Sequence, residues 1–125
     1  MPGITLDAGG LIALDRNDRR VVVLLARASE TSGRVTVPAT ALAQAIRRPE
    51  RQARLGRLIR QPTTDVIDLD RGDATKVGRL LAARATADVV DAHVVICARR
   101  SQQRVVTSDP EDLRRLDPKL QVVTV

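Results

Sequence analysis

At 125 residues the chain is sized for one domain, residues 1–125, with one core. It has no run of about 18 apolar residues and no basic stretch leading into a long apolar one, so neither a membrane span nor a secretory leader is expected and a soluble, cytoplasmic protein is. The net charge is +6 with no Phe, Tyr or Trp, so any nucleic-acid contact must rest on phosphate charge, Arg planes and hydrogen bonds rather than on aromatic stacking of bases.

Ile4-Thr5-Leu6 reads as a short strand that stops at Asp7 and restarts, after the turn residues Gly9-Gly10, as a helix beginning with Leu11 to Leu14. In an open α/β sheet a carboxylate placed there faces the ligand crevice beyond the strand ends; it also suits a helix N-cap. Asp18 is a plausible cap for a second helix over Val21 to Ala28. Arg34 to Val37 is a second strand ending at Pro38, and Ala39 to Ile46 a helix with Gln44 off its apolar face. Pro49 breaks it, and Glu50 to Arg60 restarts one with Leu55, Leu58 and Ile59 inward and Arg54, Arg57 and Arg60 outward. Arg47 to Arg60 holds six arginines and one glutamate, +5 in fourteen residues. That is the footprint of a polyanionic partner or, equally, of a solvated outer face.

Asp65 to Leu69 is a third strand, and Asp70 caps a helix carrying Val77, Leu80 and Leu81, with Asp73 completing a cap-like pair. Ala87 to Arg100 is the most apolar helix and should be covered on both sides. Within it Cys97, the only cysteine, reads as a small core residue, and His93 as a packed or partner-contacting residue turned away from Asp91. Arg104 to Ser108 is a fourth strand, Asp109-Pro110 opens a helix, and Leu120 to Val125 is a final strand. Alternating strands and helices predict an α/β fold with a mainly parallel sheet.

Asp7, Asp91 and Asp109 stand at strand ends or helix starts that converge on one sheet edge. Carboxylates brought that close repel and protonate unless a cation neutralises them, and oxygen ligands without a His or Cys cluster select Mg²⁺ or Mn²⁺ over zinc. Asp88 with Asp91, and Asp109 with Asp112, also have the spacing of helix caps, so both readings stand for these pairs.

Four segments together resemble the PIN domain, and within it the VapC-type toxins of type II toxin-antitoxin pairs. They are Leu6-Asp7 with Leu11 to Leu14, Val37 to Gln44, Val90-Asp91-Ala92, and Val106 to Pro110. The resemblance implies a three-layer α/β/α fold with a roughly five-stranded parallel sheet, Mg²⁺- or Mn²⁺-dependent endoribonuclease activity on cellular RNA, a VapB-like antitoxin as partner, and a homodimer. It implies catalytic and metal-ligating roles for Asp7, Asp91 and Asp109. Gln44 stands where the family usually has Glu, one negative charge short, and Asp88, one turn before Asp91, is placed to restore that charge. Thr107, Ser108 and Asp112 are supporting candidates, and Arg54, Arg57 and Arg60 candidates for RNA contact. The alternative, favoured by Gln44, is a catalytically weak PIN-like module that binds RNA or protein. A dinucleotide fold would want G-x-G-x-x-G at the first turn, and a haloacid-type phosphohydrolase an Asp where Gly9 stands.

Overall fold

The computed structural model describes residues 3–125. Five strands, β1 (Gly3–Leu6), β2 (Arg34–Pro38), β3 (Thr64–Ile67), β4 (Arg104–Thr107) and β5 (Val122–Thr124), form one sheet in the order β3-β2-β1-β4-β5, every pair parallel. The helices are α1 (Ala8–Asp15), α2 (Arg19–Glu30), α3 (Ala39–Ala45), α4 (Ala53–Ile59), α5 (Arg71–Arg84), α6 (Val89–Ser101) and α7 (Pro110–Leu116). They cover both faces of the sheet, giving the three-layer α/β/α architecture that the sequence predicts. Covered on both faces, a central parallel strand must be apolar throughout, and all four residues of β1 and three of four in β4 are buried.

The chain leaves β1 toward β2 on one side and later returns from β3 to β4 on the other, so the strand order reverses between β1 and β4. That reversal opens a crevice at the carboxyl ends of these two strands. Helix α6, buried without interruption from Ala92 to Ala98, lies beneath it and contributes much of the core together with Leu6, Leu11, Val37, Val105 and Val106.

Several predicted elements differ: Gly9-Gly10, expected as a turn, lie within α1, and the final strand, expected from Leu120 to Val125, is only Val122–Thr124. The helix expected over Glu50 to Arg60 is split into a 3-10 turn at Pro49–Arg51 and α4. The cause is Gln52, whose buried amide accepts from the N–H groups of Arg47 (3.0 Å) and Arg48 (3.1 Å) and donates to the Ala45 carbonyl (2.9 Å), closing the link from α3 before α4 begins. Strand β3 ends at Ile67, short of the expected Leu69, where its pairing with β2 stops at Pro38.

Candidate functional site

The first turn of α1 presses directly on the end of β4 and the residue after it. A Cβ added at Gly10 would sit 2.5 Å from the Val106 carbonyl oxygen, and one at Gly9 would meet the Ser108 side chain and lie 3.0 Å from its backbone N. Only glycine lets these backbones approach, and their approach sets Asp7 beside Thr107 and Asp109. Asp7 is buried and caps α1, its Oδ1 accepting from Gly10 N–H at 2.8 Å. Thr107 Oγ1 accepts from Asp109 N–H at 2.9 Å, which ties the start of α7 to the end of β4 beside Asp7.

On α6, Asp88 is the N-cap, its Oδ1 accepting from Asp91 N–H at 2.9 Å. The capping expectation fails for Asp109, whose side chain makes no cap bond to α7 and is left exposed; its own N–H goes to Thr107 rather than to Asp112. A cleft of about 300 Å³ collects the result, lined by Asp7, Gln44, Arg47, Asp88, Asp91, Ser108, Asp109 and Asp112, with Ala8, Gly9 and Ile12. Five carboxylates, one amide and one hydroxyl thus share one opening, with Arg47 the one cation among the described residues that line it.

The electrostatics follow from that crowding. Burial raises the Asp7 carboxyl above its ordinary value against the Thr107 and Gly10 hydrogen bonds, with Asp109 adding repulsion. Burial, then repulsion from Asp88, Asp112 and Asp7, pushes Asp91 up to about 7. Asp112 is raised by its hydrogen bond with Asp109, although Arg115 pairs with it at 3.1 Å. A site that resists its own ionisation in this way is one a cation would relieve.

The arginine face lies elsewhere. Arg54, Arg57 and Arg60 are exposed as expected, but Arg54 and Arg57 line a different cleft, of about 450 Å³, which touches Val35 and Thr64 at the beginnings of β2 and β3. That is the amino edge of the sheet, away from the acids.

A second constellation went unrecognised in the sequence. Asp73, expected to help cap α5, instead turns its carboxylate inward to an ion pair with Arg100 and toward His93. Asp73, His93 and Cys97 are all buried, with potential ligand atoms within 4.8 Å of one another; among the described residues no other three His, Cys, Asp or Glu come so close, the carboxylates of the acidic cleft included. Burial opposes the Asp73 charge, yet the Arg100 pair outweighs it and holds the carboxyl below its ordinary value; burial lowers His93 and raises the Cys97 thiol to about 12. His93 and Cys97, four apart on α6, were the available signal; their partner on α5 is fixed only by tertiary packing.

No protein-family model matches the chain, and no curated protein matches it. Among solved structures it superposes with a TM-score of 0.68 on a chain of VapBC2 from Rickettsia felis, crystallised bound to a DNA fragment from its promoter, with 98% of each chain covered at 14% identity. At that identity the likeness is one of fold. No helix among the described residues is long and apolar enough to cross a membrane.

Proposed function

We propose that this chain is a Mg²⁺- or Mn²⁺-dependent endoribonuclease that hydrolyses phosphodiester bonds in RNA and is neutralised by a small antitoxin protein, as a VapC-type toxin would be. The observation that carries the reading is the gathering of Asp7, Asp88, Asp91, Asp109 and Asp112 in one cleft at the strand-order reversal. The donor set fits a hard divalent cation: it is all oxygen, it is strongly anionic, and it holds Asp91 near 7 when nothing offsets its charge. Asp7, Asp91 and Asp109 would hold the ion, with Asp88 in support. When bound, it would supply Lewis-acid activation of water and charge stabilisation at the departing oxygen.

The chain's own residues do the rest. Thr107 holds the backbone of Asp109 at the end of β4, and the glycines at the start of α1 let Asp7 lie against it. Arg47 at the rim offers a cation to a backbone phosphate, which the anionic cleft would otherwise repel. The likeness in fold to VapBC2 supports a partner of the antitoxin kind, and a homodimer and a cytoplasmic setting belong to the same proposal. Gln44, which lines the cleft as a neutral amide, favours a second reading: a PIN-like module that binds RNA or a protein without cutting it.

Purified protein incubated with structured RNA separates these. Cleavage that needs Mg²⁺ or Mn²⁺, stops with chelator, and falls by more than about 100-fold in Asp7→Asn and in Asp91→Asn supports the nuclease. Asparagine keeps the Asp7 cap, so folding is preserved. Cleavage undiminished in both variants overturns the metal site. Tight RNA binding with no cutting in either cation selects the binding module.

A further inference from the structure

We propose that Asp73, His93 and Cys97 form a second cation site, for one transition-metal ion of the Zn²⁺ class, distinct in place and chemistry from the acidic cleft. The carboxylate comes from α5, and the imidazole and thiol from one face of α6, four residues apart. Their donor atoms lie within 4.8 Å of one another and offer oxygen, nitrogen and sulfur, the mixture that borderline metals prefer and Mg²⁺ does not.

The independent sign of a missing ligand is a pair of orphans. Asp73 Oδ2 and His93 Nε2 are both buried and neither has a hydrogen-bond partner. They face each other at 3.6 Å, too far for a hydrogen bond. Two ligands each about 2.0–2.1 Å from one tetrahedral ion stand roughly 3.3 Å apart, so the observed gap is nearly that of a shared metal. His93 Nδ1 is already engaged by Thr40 Oγ1 at 2.7 Å. With Nδ1–H donating to that hydroxyl, Nε2 presents its lone pair to the centre, as metal-bound histidines do.

A dication with one thiolate, one carboxylate and a neutral imidazole sums to zero; Arg100 on the other Asp73 oxygen adds one positive charge, carried on a half-exposed guanidinium that solvent can screen. Binding displaces the Cys97 proton to solvent, one per ion. The cleft of about 610 Å³ lined by Lys76, Arg79, Leu80, Ile96, Arg99 and Arg100 reaches Arg100, the partner of Asp73, while the three ligands themselves lie buried behind it. A filled site would tie α5 to α6.

The test uses the full chain, stripped with chelator and titrated with Co²⁺ as a spectroscopic probe. The expected result is one Co²⁺ per chain bound with thiolate-to-cobalt charge-transfer absorption, apart from any Co²⁺ taken up by the acidic cleft, and displaced by Zn²⁺ but not by Mg²⁺. The absorption should vanish in Cys97→Ala, persist in an Asp7→Asn/Asp91→Asn variant, and appear in Thr40→Val only at Co²⁺ concentrations about 10–100-fold higher. No thiolate absorption in the parent, or its survival in Cys97→Ala, overturns the proposal. The parent spectrum decides even if Cys97→Ala folds poorly, and it reads out independently of nuclease activity.

Discussion

A half-buried aspartate held near 7, chiefly by lost hydration and then by Asp88, keeps its proton at pH values where aspartate is ordinarily ionised. Because the folded-state value lies above the unfolded one, ionising Asp91 disfavours folding. Its contribution is most favourable below the ordinary 3.8 and is lost as pH rises toward 7. A divalent cation in the cleft favours the ionised form and must pull the midpoint down. Carbon-13 NMR of the Asp91 carboxyl should therefore show titration near 7 without divalent cations and well below it in millimolar Mg²⁺. A midpoint indifferent to Mg²⁺ removes Asp91 from the ligand set. Asp88 can be separated from its capping duty, since asparagine caps about as well as aspartate but carries no charge. In Asp88→Asn, stability should stay within about 0.5 kcal/mol of the parent while Mg²⁺ binds at least about tenfold more weakly by calorimetry, and Gln44→Glu should recover part of the loss. Equal Mg²⁺ affinity in parent and Asp88→Asn reduces Asp88 to a cap.

Between neighbouring elements, the approach of the first turn to β4 is the tightest requirement in the fold. Gly10→Ala puts a methyl group against the Val106 carbonyl, a backbone atom that cannot rotate aside. The substitution should cost about 1–3 kcal/mol in urea denaturation and move Asp7 relative to Asp109. An unchanged midpoint would show that the two loops can separate freely. The opposite outcome is expected at the end of α5, where Ala85 adopts the left-handed conformation at φ 53°. Ala85→Gly should stabilise by about 1 kcal/mol, because a Cβ is disfavoured there. Which parts of this were legible follows from the range of the interactions. Strand β1, the apolar α6 and the Asp18, Asp70 and Asp88 caps rest on local pattern and were read from the sequence. The break before α4 depends on Gln52 reaching back to Ala45, and the expected Asp109–Asp112 pair is undone where Thr107, two residues earlier, takes the Asp109 N–H that Asp112 would accept. Asp73 showed the spacing of a cap and nothing of its pairing with Arg100, twenty-seven residues away.

Over the whole molecule the charges are sorted by the sheet. Acids gather at the carboxyl edge, while Arg54 and Arg57 flank a cleft at the amino edge, where β2 and β3 begin. A four-residue strand is about 13 Å long, so a strand of RNA touching both edges would span several nucleotides. Under the nuclease proposal this separation divides the work. Arg47, at the acidic cleft, should act on the phosphate being cut, and the Arg54, Arg57 and Arg60 face on phosphates further along. Replacing those three with Ala should weaken binding to unrelated RNAs alike and lower the slope of log affinity against log salt by about 2, since each lost phosphate contact on a single strand accounts for roughly 0.7. Arg47→Ala should change the slope by less than about 1 yet slow cleavage of saturating RNA, because its contact lies beside the reacting bond. A triple variant with unchanged affinity and salt slope would return the α4 face to ordinary solvated surface.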